Sequence, residues 1–202
     1  MRRISGMTLI ELMMVMAVVA LLVAKARSIR VDLPDAAGAR MGPIASFAHR
    51  DHIARLVDAA RAAGARILTG GAAPADSRLA QGAFYLPTII DGIDNNAVIA
   101  QQEIFGPVLC VLPFDDEDDV IAQANDSVYG LAAGIWTRDY KRAWKVARAI
   151  EAGTVWINTY KQLSISTPFG GFKESGFGRE KGVTGMRLYQ QTKGVYFGLD
   201  HP

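Results

Sequence analysis

Residues 139–158 read DYKRAWKVARAIEAGTVWIN, a stretch that passes from a helical pattern through Gly153 to a strand pattern. In its first part the apolar residues recur at the spacing of one helix face, at Ala143, Val146, Ala147 and Ile150. Gly153 favours the end of this helix, and the string TVWIN at 154–158 is rich in the branched and aromatic residues typical of strands. A helix joined to a strand by so short a turn is characteristic of α/β folds.

The same alternation extends upstream. A helical pattern at 49–64 is followed by a short strand pattern at 66–69, and two more strand patterns cover 83–90 and 107–114. Pro87 predicts an edge or irregular strand for 83–90, whereas the apolar run PVLCVLPF at 107–114 predicts a buried strand. This half of the chain therefore also combines helical and strand patterns.

The pattern continues between and beyond these elements. Asp115 is placed to cap a helix whose first turn, DDEDD, is acidic, and a strand pattern covers 131–137. Towards the C-terminus, a glycine-rich stretch leads to a short helix near 186–191 and a last strand at 195–199. We therefore predict an α/β fold with a mainly parallel sheet and flanking helices.

The composition is that of one globular domain without a basic or cysteine-rich surface. The chain has 202 residues, half of them hydrophobic, and a formal net charge of +2. That balance provides no basic stripe for a phosphate backbone, so nucleic-acid binding is disfavoured. The single cysteine, Cys110, excludes an internal disulfide and a cysteine-rich zinc site.

The N-terminal segment is strongly apolar. Residues 6–24 read GMTLIELMMVMAVVALLVA, with Glu11 as the only charge, behind the basic pair Arg2 and Arg3. At about 1.5 Å rise per residue, a helix of this length crosses most of a bilayer. We predict a long apolar helix here, which either inserts into a membrane through residues 7–24 or packs within a globular domain.

This segment resembles the N-terminus of type IV pilins and pseudopilins. The resemblance places a prepilin-type cleavage after Gly6, makes Met7 the methylated first residue and puts Glu11 at the fifth mature position. In that family the Glu pairs with the N-terminal amine of a neighbouring subunit. The resemblance therefore implies a leader and apolar helix over residues 1–27, anchored in the inner membrane.

Three later strings resemble the aldehyde dehydrogenase family. They are QEIFGPV at 102–108, GTVWIN at 153–158 and PFGGFKESGFGRE at 168–180, and they follow the order of the C-terminal part of that family. The resemblance makes residues 28–202 an incomplete catalytic and oligomerisation region. It implies the oxidation of an aldehyde to a carboxylic acid with NAD or NADP, a cytoplasmic location for this part, and a homo-oligomer that pairs through the strand at 195–199.

The binding residues of the family map onto three positions of this chain. Glu103 matches the carboxylate that holds the hydroxyls of the nicotinamide ribose, Phe105 matches the ring beside the nicotinamide, and Phe169 matches an aromatic residue of the aldehyde tunnel. A carboxylate suits the first role because its two oxygens accept from two vicinal hydroxyls. Taken alone, Glu103 also fits an ordinary solvated carboxylate, and Phe169 also fits plain core.

No catalytic residue is assigned. The nucleophilic cysteine, the general-base glutamate and the nucleotide-binding domain of the family have no counterpart string in this sequence. Cys110 lies in the predicted strand at 107–114, where we expect an inert thiol. His49 and His52, three residues apart on a predicted helix, lack a third ligand and are expected on a solvated face, so no metal site is predicted.

Three hypotheses for function follow. The first is a truncated or fused member of the aldehyde dehydrogenase family, without activity unless another chain supplies the missing residues. The second is a membrane-tethered structural protein of the pilin or pseudopilin type. The third is an inactive product of two joined reading frames.

Overall fold

The computed structural model describes residues 9–199, which form six α-helices, a short 3-10 helix (Ser77–Leu79) and seven strands. The helices are α1 (Leu9–Arg27), α2 (Phe47–Ala62), α3 (Val98–Gln101), α4 (Glu117–Asn125), α5 (Tyr140–Ala149) and α6 (Gly182–Arg187). The strands are β1 (Arg66–Thr69), β2 (Thr88–Asp91), β3 (Val108–Cys110), β4 (Tyr129–Gly130), β5 (Ala132–Ile135), β6 (Thr154–Ile157) and β7 (Phe172–Lys173). The chain divides into two compact units, one ending at Pro113 and the other starting at Phe114.

The core of the first unit is formed by helix α2 and a three-stranded sheet. β2 is the central strand, paired antiparallel with β1 and parallel with β3. One cluster of buried side chains includes three residues of α2 and two from the sheet region: Ile53, Val57, Ala60, Tyr85 and Ile90. Burying one large aliphatic side chain contributes about 1.5–3 kcal/mol, so this face fixes α2 against the sheet.

The central strand differs from its prediction. The stretch 83–90, predicted as an edge or irregular strand, forms a strand only from Thr88, and that strand lies in the middle of the sheet. Pro87 lies immediately before it, so its missing N–H does not interrupt the ladder. The Thr88 N–H donates to the Pro107 carbonyl at 2.8 Å.

Strand β3 also differs from its prediction. The apolar run at 107–114 predicts a buried strand, but only Val108–Cys110 is a strand, and it lies at the edge of the described sheet. Leu109 is 46% exposed there. By contrast, the helix predicted at 49–64 and the strand predicted at 66–69 are confirmed as α2 and β1.

Helix α1 begins at Leu9 and ends at Arg27, beside the sheet of the first unit. Its last turn buries Ala26, and the Arg27 guanidinium donates to the Thr69 hydroxyl at 3.3 Å and to the Leu68 carbonyl at 3.4 Å. Among residues 9–199, no helix has the length and apolar content needed to cross a membrane.

The pilin-like interpretation of this segment is therefore not supported. Gly6 and Met7, the predicted cleavage site, lie outside the described residues, and Glu11 lies within α1. The predicted membrane insertion through residues 7–24 is likewise unsupported. An apolar pattern alone does not distinguish a membrane helix from one whose end docks on a sheet, as the contacts of Arg27 show that α1 does.

The second unit contains two separate strand pairs and helix α5. β5 and β6 pair in parallel, whereas β4 and β7 pair antiparallel. Helix α5 starts after Asp139, whose carboxylate accepts from the N–H groups of Lys141 and Arg142, and it buries Ala143 and Val146. The helix predicted after Asp139 and the strand predicted at 154–158 are thus confirmed as α5 and β6.

Helix α4 begins one residue later than predicted. Asp116, not Asp115, is its N-cap, and the Asp116 carboxylate accepts from the Asp119 N–H at 2.8 Å. Glu117 in the first turn pairs with Arg142 of α5. The acidic first turn therefore complements the helix dipole, as the sequence predicts, and also ties α4 to α5.

The fold is α/β, but its sheets are parallel only in part. Two of the four strand pairs are parallel and two are antiparallel. The short helix predicted near 186–191 lies slightly earlier, as α6. The last strand predicted at 195–199 is absent from the described residues, where this segment has no strand pairing and its large side chains are exposed. A strand requires a partner for its N–H and C=O groups, and residues 9–199 supply none here.

Candidate functional site

The loop at 102–107, between helix α3 and strand β3, has an unusual backbone. Ile104 packs against the buried core of the first unit, whereas Phe105 is 78% exposed. Phe105 has a φ of +53°, in the left-handed region that costs a non-glycine residue about 1–2 kcal/mol. A bulky residue held there with its ring in solvent requires contacts from elsewhere in the fold.

Helix α2 supplies those contacts. The His49 Nε2–H donates to the Phe105 carbonyl at 2.9 Å, and the two rings meet edge to face with their centroids 6.3 Å apart. One turn further along α2, Ile53 lies under Gly106, where an added Cβ would come within 2.5 Å of the Ile53 Cδ1. The prediction that His49 lies on a solvated face is therefore wrong, since this side chain is half-buried and fastens the loop.

Glu103 lies two residues before Phe105 and is exposed. Within the described part of the chain, residues 9–199, its carboxylate has no hydrogen-bond or ion-pair partner. An ionised carboxylate only accepts hydrogen bonds, and its two oxygens are available to neighbouring hydroxyl groups. The loop therefore presents a free acceptor and an exposed aromatic ring close together in sequence.

Phe169 lies in the second unit and is half-buried. It forms an isolated antiparallel bridge with Glu180, in which each N–H donates to the carbonyl of the other residue at 2.8 Å. The Lys181 ammonium lies 5.8 Å from the centroid of the Phe169 ring, so a cation already occupies its vicinity. Phe169 is not part of the buried core, which argues against the alternative of plain core packing.

Two of the three sequence strings come into direct contact in the second unit. Gly153, at the start of GTVWIN, packs so closely on PFGG that an added Cβ would lie 1.7 Å from the Gly170 carbonyl oxygen. Because no side chain fits in that space, glycine at 153 lets strand β6 lie directly against the loop that carries Phe169.

Asn158 is a structural residue that the sequence reasoning does not identify. It ends the string GTVWIN with a φ of +54° and contacts the backbone of Thr137 with both ends of its amide. A groove of about 810 Å³ lies beside these two residues, and Trp136 and Trp144 also line it. Phe169 does not line this groove. The tolerance of asparagine for left-handed backbone was the available signal in the sequence.

Cys110 does not have the surroundings of a nucleophile. Its side chain is half-buried, and its Sγ lies 3.8 Å from the Ile99 carbonyl. Burial raises the pKa of the Cys110 thiol, so a smaller fraction is thiolate at neutral pH. Among residues 9–199, no cluster of three or more His, Cys, Asp or Glu side chains is arranged to bind a metal ion.

The sequence match to known proteins decides the family. The model of the aldehyde dehydrogenase family matches residues 5–195. This chain belongs to the aldehyde dehydrogenase family. The match begins at residue 5, so it includes most of the apolar segment that the pilin-like interpretation assigns to another class of protein.

Curated relatives within this family are betaine aldehyde dehydrogenases. The protein from Brucella melitensis biotype 2 (strain ATCC 23457) is 45% identical over 175 residues, which cover 87% of this chain and 36% of that protein. Betaine aldehyde dehydrogenase 1 of Rhizobium meliloti (strain 1021) is 46% identical over 160 residues, which cover 79% of this chain and 33% of that protein. The chain thus spans about a third of the length of the curated relatives it matches.

Solved structures of the family have the same fold over most of this chain. An aldehyde dehydrogenase from Bacillus cereus in its NAD+ complex matches with a TM-score of 0.86 and 36% identity, over 92% of this chain and 37% of that one. A betaine aldehyde dehydrogenase from Staphylococcus aureus in complex with NAD+ matches with a TM-score of 0.81 and 39% identity, over 84% and 34%.

The three predicted binding residues are divided between the two units. Glu103 and Phe105 belong to the first unit, and Phe169 belongs to the second. The structure brings Glu103 and Phe105 together on one loop. The roles of Glu103 and Phe105 in cofactor binding and of Phe169 in the aldehyde tunnel stay predictions.

Proposed function

We propose that this chain forms part of an enzyme that oxidises an aldehyde to a carboxylic acid with NAD or NADP. The observation that carries the proposal is the 102–107 loop, which holds Phe105 exposed in a left-handed backbone beside the unpartnered carboxylate of Glu103. Family membership supports the same reaction. Two solved relatives, from Bacillus cereus and Staphylococcus aureus, contain NAD+.

The residues of this loop fit a nicotinamide nucleotide. The Glu103 carboxylate can accept from two vicinal ribose hydroxyls at once, one on each oxygen. The exposed Phe105 ring offers an apolar face to a planar aromatic group, and such contacts contribute beyond simple area burial. When bound, the cofactor supplies the hydride acceptor, while Glu103 and Phe105 bind and orient it.

Phe169 is assigned to the aldehyde. The relatives are named for betaine aldehyde, whose trimethylammonium group is a permanent cation. Aromatic rings attract such groups through the negative face of the ring, and Phe169 is the aromatic residue that matches the aldehyde tunnel. Betaine aldehyde is therefore the first substrate to test, with Phe169 as a binding residue rather than a catalytic one.

Residues 28–202 are proposed as the catalytic and oligomerisation region of this enzyme. Their C-terminal segment at 195–199 is apolar, exposed and without a strand partner among the described residues. A segment of this kind is suited to pair with an equivalent segment of a second copy. We assign no nucleophile within residues 9–199, since the surroundings of Cys110 oppose thiolate formation.

A chimera tests the proposed activity. The family-matched residues of this chain replace the aligned segment of the Brucella melitensis enzyme, and NADH formation from NAD+ is measured with and without betaine aldehyde. We expect aldehyde-dependent NADH formation. Glu103→Gln should lower kcat/KM for NAD+ by roughly tenfold or more, because a hydrogen bond to a charged group contributes about 1.5–3 kcal/mol.

Glu174→Gln is the matched control. Glu174 is also exposed and also lies in a family string, but it has no assigned contact with the cofactor. Its variant should retain the activity of the unmodified chimera. A folded chimera that forms no NADH while the parent enzyme is active would contradict the proposed function.

A further inference from the structure

We propose that His49 is a positioning residue, whose hydrogen bond to the Phe105 carbonyl keeps the Phe105 ring in the place where it meets the nicotinamide. The part that concerns the nicotinamide rests on the proposed function. The part that concerns the loop conformation rests only on contacts within the first unit.

The N-cap of helix α2 determines the position of His49 within the helix. Ser46 is the N-cap, and its hydroxyl accepts from the His49 N–H at 3.1 Å. This cap places His49 in the first turn and Ile53 on the same face one turn later. The 102–107 loop uses both positions, because the Phe105 carbonyl bonds to His49 and Gly106 lies on Ile53.

The hydrogen bond sets the tautomer of His49. A carbonyl oxygen only accepts, so the proton must be on Nε2 of the His49 ring. The His52 ring stacks beside it, with centroids 6.1 Å apart and an interplanar angle of 25°. Phe105 also meets the His49 ring, edge to face. His49 therefore contacts two rings, and its donor bonds to one backbone atom.

The backbone of Phe105 explains why this bond matters. A Phe residue disfavours a φ of +53°, and most of its ring is exposed, so burial of the ring does not hold it there. Without the His49 donor, the segment loses its one hydrogen bond from a side chain of α2 and is free to return to negative φ. The Phe105 ring would then move away from its present position on the loop, where it lies two residues from Glu103.

Measurements on the full chain without cofactor test the loop conformation. His49→Phe keeps a ring but removes the donor, His49→Gln restores a donor, and His52→Phe alters the neighbouring ring only. Chymotryptic cleavage after Phe105, followed by mass spectrometry, requires the loop to open and should be roughly 3–10-fold faster in His49→Phe, the ratio expected for one net hydrogen bond. His49→Gln and His52→Phe should stay within about twofold of the original chain, and ring 15N shifts should show the His49 proton on Nε2.

Titration of the Brucella melitensis chimera and its variants with NADH tests the consequence for the cofactor. We expect Kd to rise by the same roughly 3–10-fold factor in His49→Phe and to recover in His49→Gln. Unchanged cleavage after Phe105 in His49→Phe, or a proton on Nδ1 in the original chain, would overturn the positioning role, even if Glu103→Gln weakens NADH binding by the chimera as proposed. Slow cleavage after Phe105 that depends on His49, together with no saturable NADH binding by any chimera while the parent enzyme binds NADH, would support the loop contact and overturn the proposed function instead.

Discussion

The side-chain amide of Asn158 forms hydrogen bonds to both the N–H and the carbonyl of Thr137. Its Oδ1 accepts from the Thr137 N–H at 2.9 Å, and its Nδ2 donates to the Thr137 carbonyl at 2.9 Å. The Asn158 N–H also donates to the Ile135 carbonyl at 2.8 Å. Three hydrogen bonds from Asn158 thus connect the segment after strand β6 to the end of strand β5 and to the residues that follow it.

Asn158→Ala should lower the free energy of unfolding by about 1–3 kcal/mol, because it removes two hydrogen bonds and leaves a left-handed backbone that alanine disfavours. Asn158→Gly loses the same bonds but relaxes the backbone, so its loss should be smaller. Asn158→Asp turns the donor into an acceptor that faces the Thr137 carbonyl, and it should destabilise at least as much as alanine. Urea unfolding followed by tryptophan fluorescence measures all three, and an unchanged midpoint for Asn158→Ala would contradict the expectation.

Gly153→Ala should destabilise the second unit by about 3 kcal/mol or more, because the new methyl group would overlap the Gly170 carbonyl and the backbone cannot yield without moving strand β6. Gly198→Ala makes the same chemical change where no atom lies within 4 Å, so it should leave stability unchanged. Thermal unfolding of the two variants compares them directly. Equal melting temperatures would show that the close approach at 153 is not rigid.

The elements that the sequence predicts correctly are those with local causes. Apolar residues at helical spacing predict α2 and α5, and the short run at 66–69 predicts β1. The helix and strand on either side of Gly153 follow from the same local pattern. The family strings also point to the loop with Glu103 and Phe105, because each string is contiguous in the chain, but the binding roles of these two residues stay predictions.

The features that the sequence does not predict depend on distant partners. The bond from His49 to Phe105 joins residues 56 positions apart, and the left-handed backbone at Phe105 follows from it. Strand β2 becomes central because β1 and β3 pair on its two sides, which Pro87 alone does not indicate. The segment 195–199 has strand-forming residues but no partner among residues 9–199. Strand formation is decided by pairing, and pairing is not visible in a local pattern.

Asp32 makes the stability of the first unit depend on acid pH. It is 3% exposed, and its carboxylate lies 2.8 Å from Arg30 and 3.8 Å from Arg78. The hydrogen bond from Arg30 and then that from the Leu33 N–H hold the pKa of Asp32 below its usual value of 3.8. The unfolded chain therefore takes up the proton first as the pH falls. The contribution of Asp32 is complete above about pH 5 and is lost towards lower pH.

Asp32→Asn should lower the melting temperature by several degrees at neutral pH and should flatten its decline below about pH 5, since one source of that decline is removed. Asp35→Asn is the control, because Asp35 is exposed three residues further along the chain. Its variant should keep the pH dependence of the original chain. Melting curves recorded from neutral pH to below about pH 5 test this expectation. A melting temperature that still falls as steeply with pH in Asp32→Asn would contradict the role of Asp32 in the acid dependence.

Cys110 should react slowly with thiol reagents in the folded chain. Alkylation requires the thiolate, and burial raises the pKa of this thiol, so fewer thiolates are present at any pH below that pKa. We expect alkylation by iodoacetamide at neutral pH to be slower than that of a free cysteine, and its rate to continue rising with pH above about 8.5, where that of a free thiol begins to level off. The same chain in urea should react at the rate of the free amino acid.

The Cys110→Ser variant tests whether the Cys110 thiol takes part in the proposed reaction. Because the thiol lies against the Ile99 carbonyl rather than in the 102–107 loop, a chimera with Cys110→Ser should bind NADH with the affinity of the unmodified chimera. A Cys110 that alkylates faster than free cysteine at neutral pH would mean an activated thiolate, and loss of NADH formation in a Cys110→Ser chimera would then make it the nucleophile. Slow alkylation with full activity in the serine variant places the sulfur chemistry of the reaction on another residue.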